Sequence, residues 1–301
     1  MNTVRMREGE VGIDPPLVSR LIARQFPGWA ALPVRRLESS GTENAMFRLG
    51  TGLVVRLPRH PGAVADVTHE RRWLPRLGPL LPVPTPEPAG LGAPGEGFPW
   101  PWSVYRRLDG RNPVAGAVAE PERLAERLGA FVAALRRIDP HDGPPASRGL
   151  PLATRDRPTR AAPARLTALT DRIDTAAVTA LWEEALRAPA HSGPPAWAHG
   201  DLFPGNVLVD GNRLSAVIDF GCAGVGDPAV DLITAWNLLP ASARDTFRKA
   251  VGADDAQWAR GRGWALSISL IQLPYYWHTN PVLAENSRHV IAEILAEAGR
   301  R

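Results

Sequence analysis

The chain has 301 residues, 44% apolar and 22% charged, which suits a globular protein of two lobes and excludes a disordered one. A pI near 9.9 conceals a net charge of only +4, spread without a basic run of about five or six residues, so nucleic-acid binding is excluded as the leading role. The single cysteine, Cys222, permits no internal disulfide and suits a reducing cytoplasm, and with neither an apolar run of about 18 residues nor a signal-peptide core the chain is expected there, away from membranes.

After Pro15-Pro16, residues Val18, Leu21, Ile22 and Phe26 recur at helical spacing and predict a short amphipathic helix. Val34–Leu37, Ala45–Leu49 and Leu53–Leu57 are apolar runs separated by the turn-like Ser39–Asn44 and Gly50-Thr51-Gly52, and they read as an antiparallel meander. A helix is predicted from Ala63 to Leu77. Residues 82–101, rich in Pro and Gly, predict irregular or edge structure, and Trp102–Tyr105 a short buried strand before Asp109-Gly110. Leu124, Leu128, Phe131, Val132, Leu135 and Ile138 mark one face of a long helix. Residues 139–163 read as a Pro-, Arg- and Gly-rich loop, long enough to point to function or mobility. Helices are expected from Ala164 to Arg187 and again beyond Asp227. A strand-rich first third before a helical remainder is the order of an α+β chain.

The densest chemistry lies in His199-Gly200-Asp201-Leu202-Phe203-Pro204-Gly205-Asn206, followed by Val207–Val209, the hairpin signal Asp210-Gly211, and Ala216-Val217-Ile218-Asp219-Phe220-Gly221. Such a hairpin is expected to carry Asp201, Asn206 and Asp219 to one end of a rigid ribbon. Phosphoryl transfer needs a carboxylate to orient a hydroxyl and take its proton, and further oxygens to hold Mg²⁺, a hard cation. On residue types alone, the same three side chains also fit turn and cap positions. The Asp201 to Asn206 spacing matches a kinase catalytic loop, and Asp219-Phe220-Gly221 matches the metal-binding triplet.

With Gly224-Val225-Gly226-Asp227-Pro228 and Asp231 following, these motifs resemble the aminoglycoside phosphotransferase family. The resemblance runs from the Ser39–Asn44 loop to the Asp227–Asp231 segment. It implies a bilobal protein-kinase-like fold, with a small antiparallel-sheet N-terminal lobe over residues 1–107 and a larger, mainly helical C-terminal lobe over 108–301. It also implies Asp201 as catalytic base and Asn206 and Asp219 as Mg²⁺ ligands. Ser40, Gly41 and Thr42 would form the nucleotide loop, and backbone groups from Arg106 to Leu108 would meet the adenine edge. The third strand holds Arg56 where the family carries lysine, a departure because the two cations are not interchangeable. Glu70 lies on the apolar face of its helix with Val67, Leu74 and Leu77, where an unpaired carboxylate would be costly; the residues alone would leave it half-exposed, and the resemblance implies Arg56 as its partner. His199 reads as a hydrogen-bonding support of the loop, Cys222 as a buried filler, and Asp227-Pro228 as an N-cap with proline at N1. Asp231 reads either as a brace beneath the catalytic loop or as a surface residue.

The expected activity is a small-molecule kinase moving the γ-phosphoryl group of ATP or GTP to a hydroxylated, antibiotic-like or sugar-containing substrate, with no obligatory protein partner. A protein kinase is excluded because only Phe220–Gly226 separate Asp219 from Asp227, leaving no room for an activation segment. The alternative is a kinase-like nucleotide-binding regulator without turnover, which only Arg56 favours. Adjacent acids in the helical lobe are limited to Glu183-Glu184 and Asp254-Asp255, each expected on a solvated face or turn, whereas Tyr275, Tyr276, Trp277 and His278 offer flat surfaces. A neutral or weakly charged acceptor is therefore expected over a polycation.

Overall fold

The computed structural model describes residues 11–39, 41–170 and 172–299. They form two compact units. One takes the residues up to Pro79, Pro84–Asp109 and Ala216–Gly221; the other takes Leu80–Val83, Gly110–Ser215 and the residues from Cys222 onward.

The first unit opens with α1 (Pro15–Gln25). Asp14 caps it, accepting from Leu17 N at 2.9 Å, and prolines occupy its first turn, where their missing N–H groups cost nothing. Strands β1 (Val34–Arg36), β2 (Asn44–Leu49) and β3 (Leu53–Pro58) form the expected meander, with Gly50 at φ +60° in the second turn. Helix α2 (Val64–Leu77) follows and accommodates Pro75 in its last turn. Strands β4 (Pro88–Gly92) and β5 (Trp102–Arg106) complete an antiparallel sheet of order β1-β2-β3-β5-β4, so the Gly/Pro-rich β4 is an edge strand, where a proline leaves no ladder bond unmade. Val18, Leu21 and Ile22 of α1 bury against Phe47, Leu49, Val55, Leu57, Trp102 and Val104 of the sheet, each side chain contributing about 1.5–3 kcal/mol.

The second unit is mainly helical. Its first helix is α3 (Pro121–Arg136). Helix α4 (Asp156–Thr167) begins well inside the stretch read as a loop, and residues 168–174 then separate it from α5 (Thr175–Leu186), where a single helical region was expected. Pro158 and Pro163 obscured this. The first lies in the opening turn, where proline is tolerated, and the second is carried inside the helix. Strand β6 (Ala196–Ala198) precedes the catalytic-loop sequence. Strands β7 (Val207–Asp210) and β8 (Arg213–Val217) form the hairpin, with Gly211 at φ +56° in its turn. Strand β9 (Gly224–Gly226) pairs antiparallel with β6, a ribbon too short to leave a sequence pattern.

Asp227 caps the next segment as expected, but Pro228–Ile233 is a 3₁₀ helix that passes into α6 (Thr234–Asn237). Helices α7 (Ala241–Val251), α8 (Asp255–Tyr276) and α9 (Pro281–Ala298) complete the unit, α3 packing on α7 and α8 on α9. Helix α8 is buried over most of its length and carries arginines into the interior. Arg260 reaches Asp227 at 2.6 Å, and Arg262 reaches Glu184 at 2.6 Å and Glu297 at 3.3 Å, which spares each guanidinium the cost of lone burial. Among the described residues no helix is long and apolar enough to cross a membrane.

Candidate active site

In the first unit, β3 projects Arg56 into the interior, and three acceptors surround its guanidinium. Nη1 donates to Glu70 Oε2 at 2.7 Å and Nη2 to Asp219 Oδ1 at 2.9 Å. With its amide turned so that oxygen faces the cation, Asn44 accepts from Nη2 at 2.9 Å and Nε at 3.0 Å. Burial alone would depress the guanidinium, but Asp219 and Glu70 hold its pKa well above the ordinary value. It is a permanent charge.

Glu70 is fully buried on α2 and has more than one partner. Its Oε2 also accepts from Tyr105 OH at 2.5 Å, and its Oε1 accepts from Phe220 N at 2.8 Å. One carboxylate thus ties β3, β5 and the Asp219-Phe220-Gly221 segment to α2. Burial first, and then Glu70, push the Tyr105 phenol up, so it remains a donor. Asp219 holds φ +64°, a left-handed conformation that an L residue keeps only when its surroundings fix it; Arg56 and the bond at Phe220 do so. Asp66 lies against the same segment, since a Cβ on Gly221 would stand 2.9 Å from its Cγ. Burial, partly offset by Arg56 and reinforced by Asp219 and Glu70, pushes the Asp66 carboxyl up to about 6.

Of the residues expected to meet nucleotide, Ser40 lies outside the described residues. Gly41 donates its N–H to Ser39 Oγ at 3.0 Å, and the buried Thr42 turns its hydroxyl to Glu43 at 3.2 Å. The N–H groups of Arg106 and Arg107 donate to the carbonyls of Glu87 (2.9 Å) and Gly52 (2.8 Å), so of these three residues Leu108 alone keeps its N–H outside the backbone ladder.

In the second unit, Asp201 and Asn206 lie side by side. Asn206 Nδ2 donates to Asp201 O at 2.8 Å and to Asp201 Oδ2 at 2.9 Å. That commitment leaves Oδ1 as the end of Asn206 available to a cation. Asp231 is the brace: completely buried, it accepts from His199 N and Gly200 N, each at 2.8 Å. Burial raises its carboxyl above the ordinary 3.8, against the pull of the His199 ring and these two N–H groups. His199 supports the loop as expected, its Nδ1 accepting from Asp201 N at 3.2 Å. Gly200 has φ +77°, and a Cβ there would stand 2.8 Å from Cys222 O, so only glycine fits. Cys222 itself is half-buried rather than a buried filler.

Two further residues were not singled out in the sequence. Asn112 donates to the carbonyls of Pro204, Gly205 and Val207 at 3.2, 2.8 and 2.9 Å, fixing the turn that carries Asn206. Arg148, from the 139–155 stretch, forms an ion pair with Asp201 Oδ1. Only the length and arginine content of that stretch pointed to it.

Asn206, in the second unit, carries an amide oxygen, and Asp219, in the first, a carboxylate; each is a hard oxygen donor of the kind magnesium takes.

An antiparallel-sheet unit with a buried cation–carboxylate pair, and a helical unit with a braced Asp–Asn loop, define a kinase-like fold. The sequence profile of the phosphotransferase enzyme family matches residues 34–264, and the chain belongs to that family. Comparison with curated proteins gives no match. Among solved structures, the GDP complex of aminoglycoside 2'-phosphotransferase-IIIa is similar at 18% identity and TM-score 0.74, covering 95% of this chain and 100% of that one. The GDP and kanamycin complex of APH(2")-IIIa aligns at 20% identity and TM-score 0.72, covering 93% and 98%. Macrolide 2'-phosphotransferase MphH from Brachybacterium faecium aligns at 23% identity and TM-score 0.62, covering 93% and 97%. At these identities the likeness is one of fold.

Proposed function

We propose that this phosphotransferase is a small-molecule kinase that moves the γ-phosphoryl group of ATP or GTP to a hydroxyl of an antibiotic-like or sugar-containing acceptor, conferring resistance. The observation that carries this reading is the Asp201 loop. A carboxylate held between Asn206 and a backbone pinned by Asp231 is pre-oriented to align a hydroxyl and accept its proton as the oxygen attacks phosphorus. Asn206 and Asp219 are the proposed Mg²⁺ ligands, and the ion when bound would offset charge on the phosphate oxygens. Arg56, oriented by Glu70, stands in for lysine as the phosphate-binding cation. The turn at Ser40, Gly41 and Thr42 and the backbone from Arg106 to Leu108, with the Leu108 N–H as donor, are the proposed nucleotide contacts. The nucleotides and aminoglycosides named for the similar structures support the donor and the acceptor class. Cytoplasmic action on a soluble acceptor fits the composition.

The test is magnesium-dependent nucleotide consumption across a panel of hydroxylated antibiotics and sugars. Asp201→Ala should fold, bind nucleotide and lose about 10²–10⁴-fold in kcat, the usual general-base contribution. A variant keeping more than about a tenth of wild-type kcat would remove Asp201 from this role. Nucleotide binding with no turnover on any acceptor would favour the regulatory reading, which the engagement of Arg56 by both Glu70 and Asp219 keeps in play.

A further inference from the structure

Both oxygens of the Asp201 carboxylate are engaged by side chains of the second unit. Asn206 holds Oδ2, and the Arg148 guanidinium pairs with Oδ1 while also donating to Gly200 O at 3.2 Å. The pair is sheltered, with the two side chains 27% and 26% exposed. Burial opposes the charge on Arg148, but Asp201 raises its pKa above the ordinary value, and Cys222 and Tyr276 are close enough to add to the effect.

Arg148 is also anchored. Ala146 N donates to Val225 O at 3.0 Å, Val225 N to Pro144 O at 2.8 Å, and Asp227 N to Gly149 O at 2.8 Å, so residues 144–149 run alongside β9. Gly224 permits this approach, because a Cβ there would stand 2.6 Å from Ala146 Cα. A guanidinium delivered by such a strap is a fixed part of the loop.

A bare carboxylate in a sheltered site draws ammonium groups, whereas one already paired offers no net charge to them. The other adjacent acids of this unit are also engaged. Glu183 pairs with Arg160 and Glu184 with Arg262, Asp254 caps α8, and Asp255 pairs with Arg248. Tyr275, more than half exposed, meets Tyr276 edge-on at 4.7 Å, and Tyr276 in turn lies near Arg148.

We propose that Arg148 is a positioning residue that holds Asp201 and cancels its charge, so that the base receives a hydroxyl from a neutral part of the acceptor, such as a sugar or nucleoside ring, rather than one flanked by ammonium groups. This rests on the role of Asp201 given above.

The experiment is calorimetric titration of kanamycin, a polycation, into the full chain and its variants. The wild type should bind weakly and with little salt dependence. Arg148→Gln should bind about tenfold more tightly at low salt, because a carboxylate has been freed, with the gain fading as ionic strength rises toward about 0.5 M. Arg148→Lys, which keeps the charge, should remain like wild type. Adding Asp201→Asn to Arg148→Gln should abolish the gain, which a merely structural role for Arg148 would not produce. No gain in Arg148→Gln, or a gain that survives Asp201→Asn, overturns the inference. So does tight, steeply salt-dependent kanamycin binding by the wild type, a measurement that stands even where a variant fails to fold. None of these readings uses turnover, so a chain that transfers no phosphate would sink the proposed function without deciding this one.

Discussion

Replacing Asp231 tests whether the catalytic loop is held from beneath. Its two oxygens accept from His199 N and Gly200 N at 2.8 Å, and the residue is completely buried, so no water stands ready to replace it. Asp231→Ala strands two buried donors at about 1–3 kcal/mol each, a total of roughly 2–6 kcal/mol. Asp231→Asn keeps one acceptor but turns an amide NH₂ toward the other N–H, and should cost about half as much, roughly 1–3 kcal/mol. Part of this loss should appear locally, as loosening of the His199–Asp201 backbone. Native-state hydrogen exchange reads it directly. The His199 and Gly200 amides should exchange about 10²-fold faster in Asp231→Ala, the factor matching roughly 3 kcal/mol, while amides in the first unit's β2 and β3 stay protected. Turnover should fall at least about tenfold through misplacement of Asp201, with nucleotide affinity unchanged. A folded Asp231→Ala whose His199 and Gly200 amides exchange at wild-type rates would refute the brace.

Arg56→Ala leaves Glu70 buried without its cation and should cost about 3–5 kcal/mol in urea denaturation, whereas Arg56→Lys should recover most of it; an unmoved midpoint for the alanine variant would contradict the pairing. Asp219→Ala should weaken magnesium-dependent binding of a non-hydrolysable nucleotide by about tenfold or more, roughly 1.4 kcal/mol, and unchanged calorimetric affinity would remove Asp219 as a ligand. Asp66 binds its proton more tightly folded than unfolded, so its contribution to stability is complete below 3.8 and is lost as pH rises toward about 6. With chelator present, Asp66→Asn should therefore gain on wild type across that window, by at most about 3 kcal/mol, and parallel stability–pH curves would show that the carboxyl is not perturbed.

The residues differ in how openly the sequence announces their places. The meander was readable because Gly50-Thr51-Gly52 leaves two apolar runs no alternative to a tight turn. The Arg56–Glu70 contact was readable through the family resemblance, which calls for a carboxylate on the helix after the third strand; the residues alone leave Glu70 as a half-exposed glutamate. Its extension to Asp219 was not, because that contact depends on a left-handed residue whose conformation is fixed by partners distant in sequence. The β6–β9 ribbon, three residues on each strand, is shorter than any periodicity that could reveal it. Arg148 looks like any other arginine in a chain full of them. What distinguishes it is the run of residues 144–149 along β9, which follows from a missing Cβ at Gly224 and has no local pattern.

The guanidinium at the heart of the first unit has a consequence for chemical probes. The only side-chain amine in the protein is that of Lys249, exposed on α7 in the other unit. A nucleotide analogue carrying an acylating group, of the kind that labels an amine beside bound phosphates, would find at Arg56 a group that stays protonated and does not act as a nucleophile. The protein would pass unlabelled through such a profiling experiment with its nucleotide site full. Arg56→Lys would place an acylatable amine there, and covalent capture would then map the site without any acceptor having been identified.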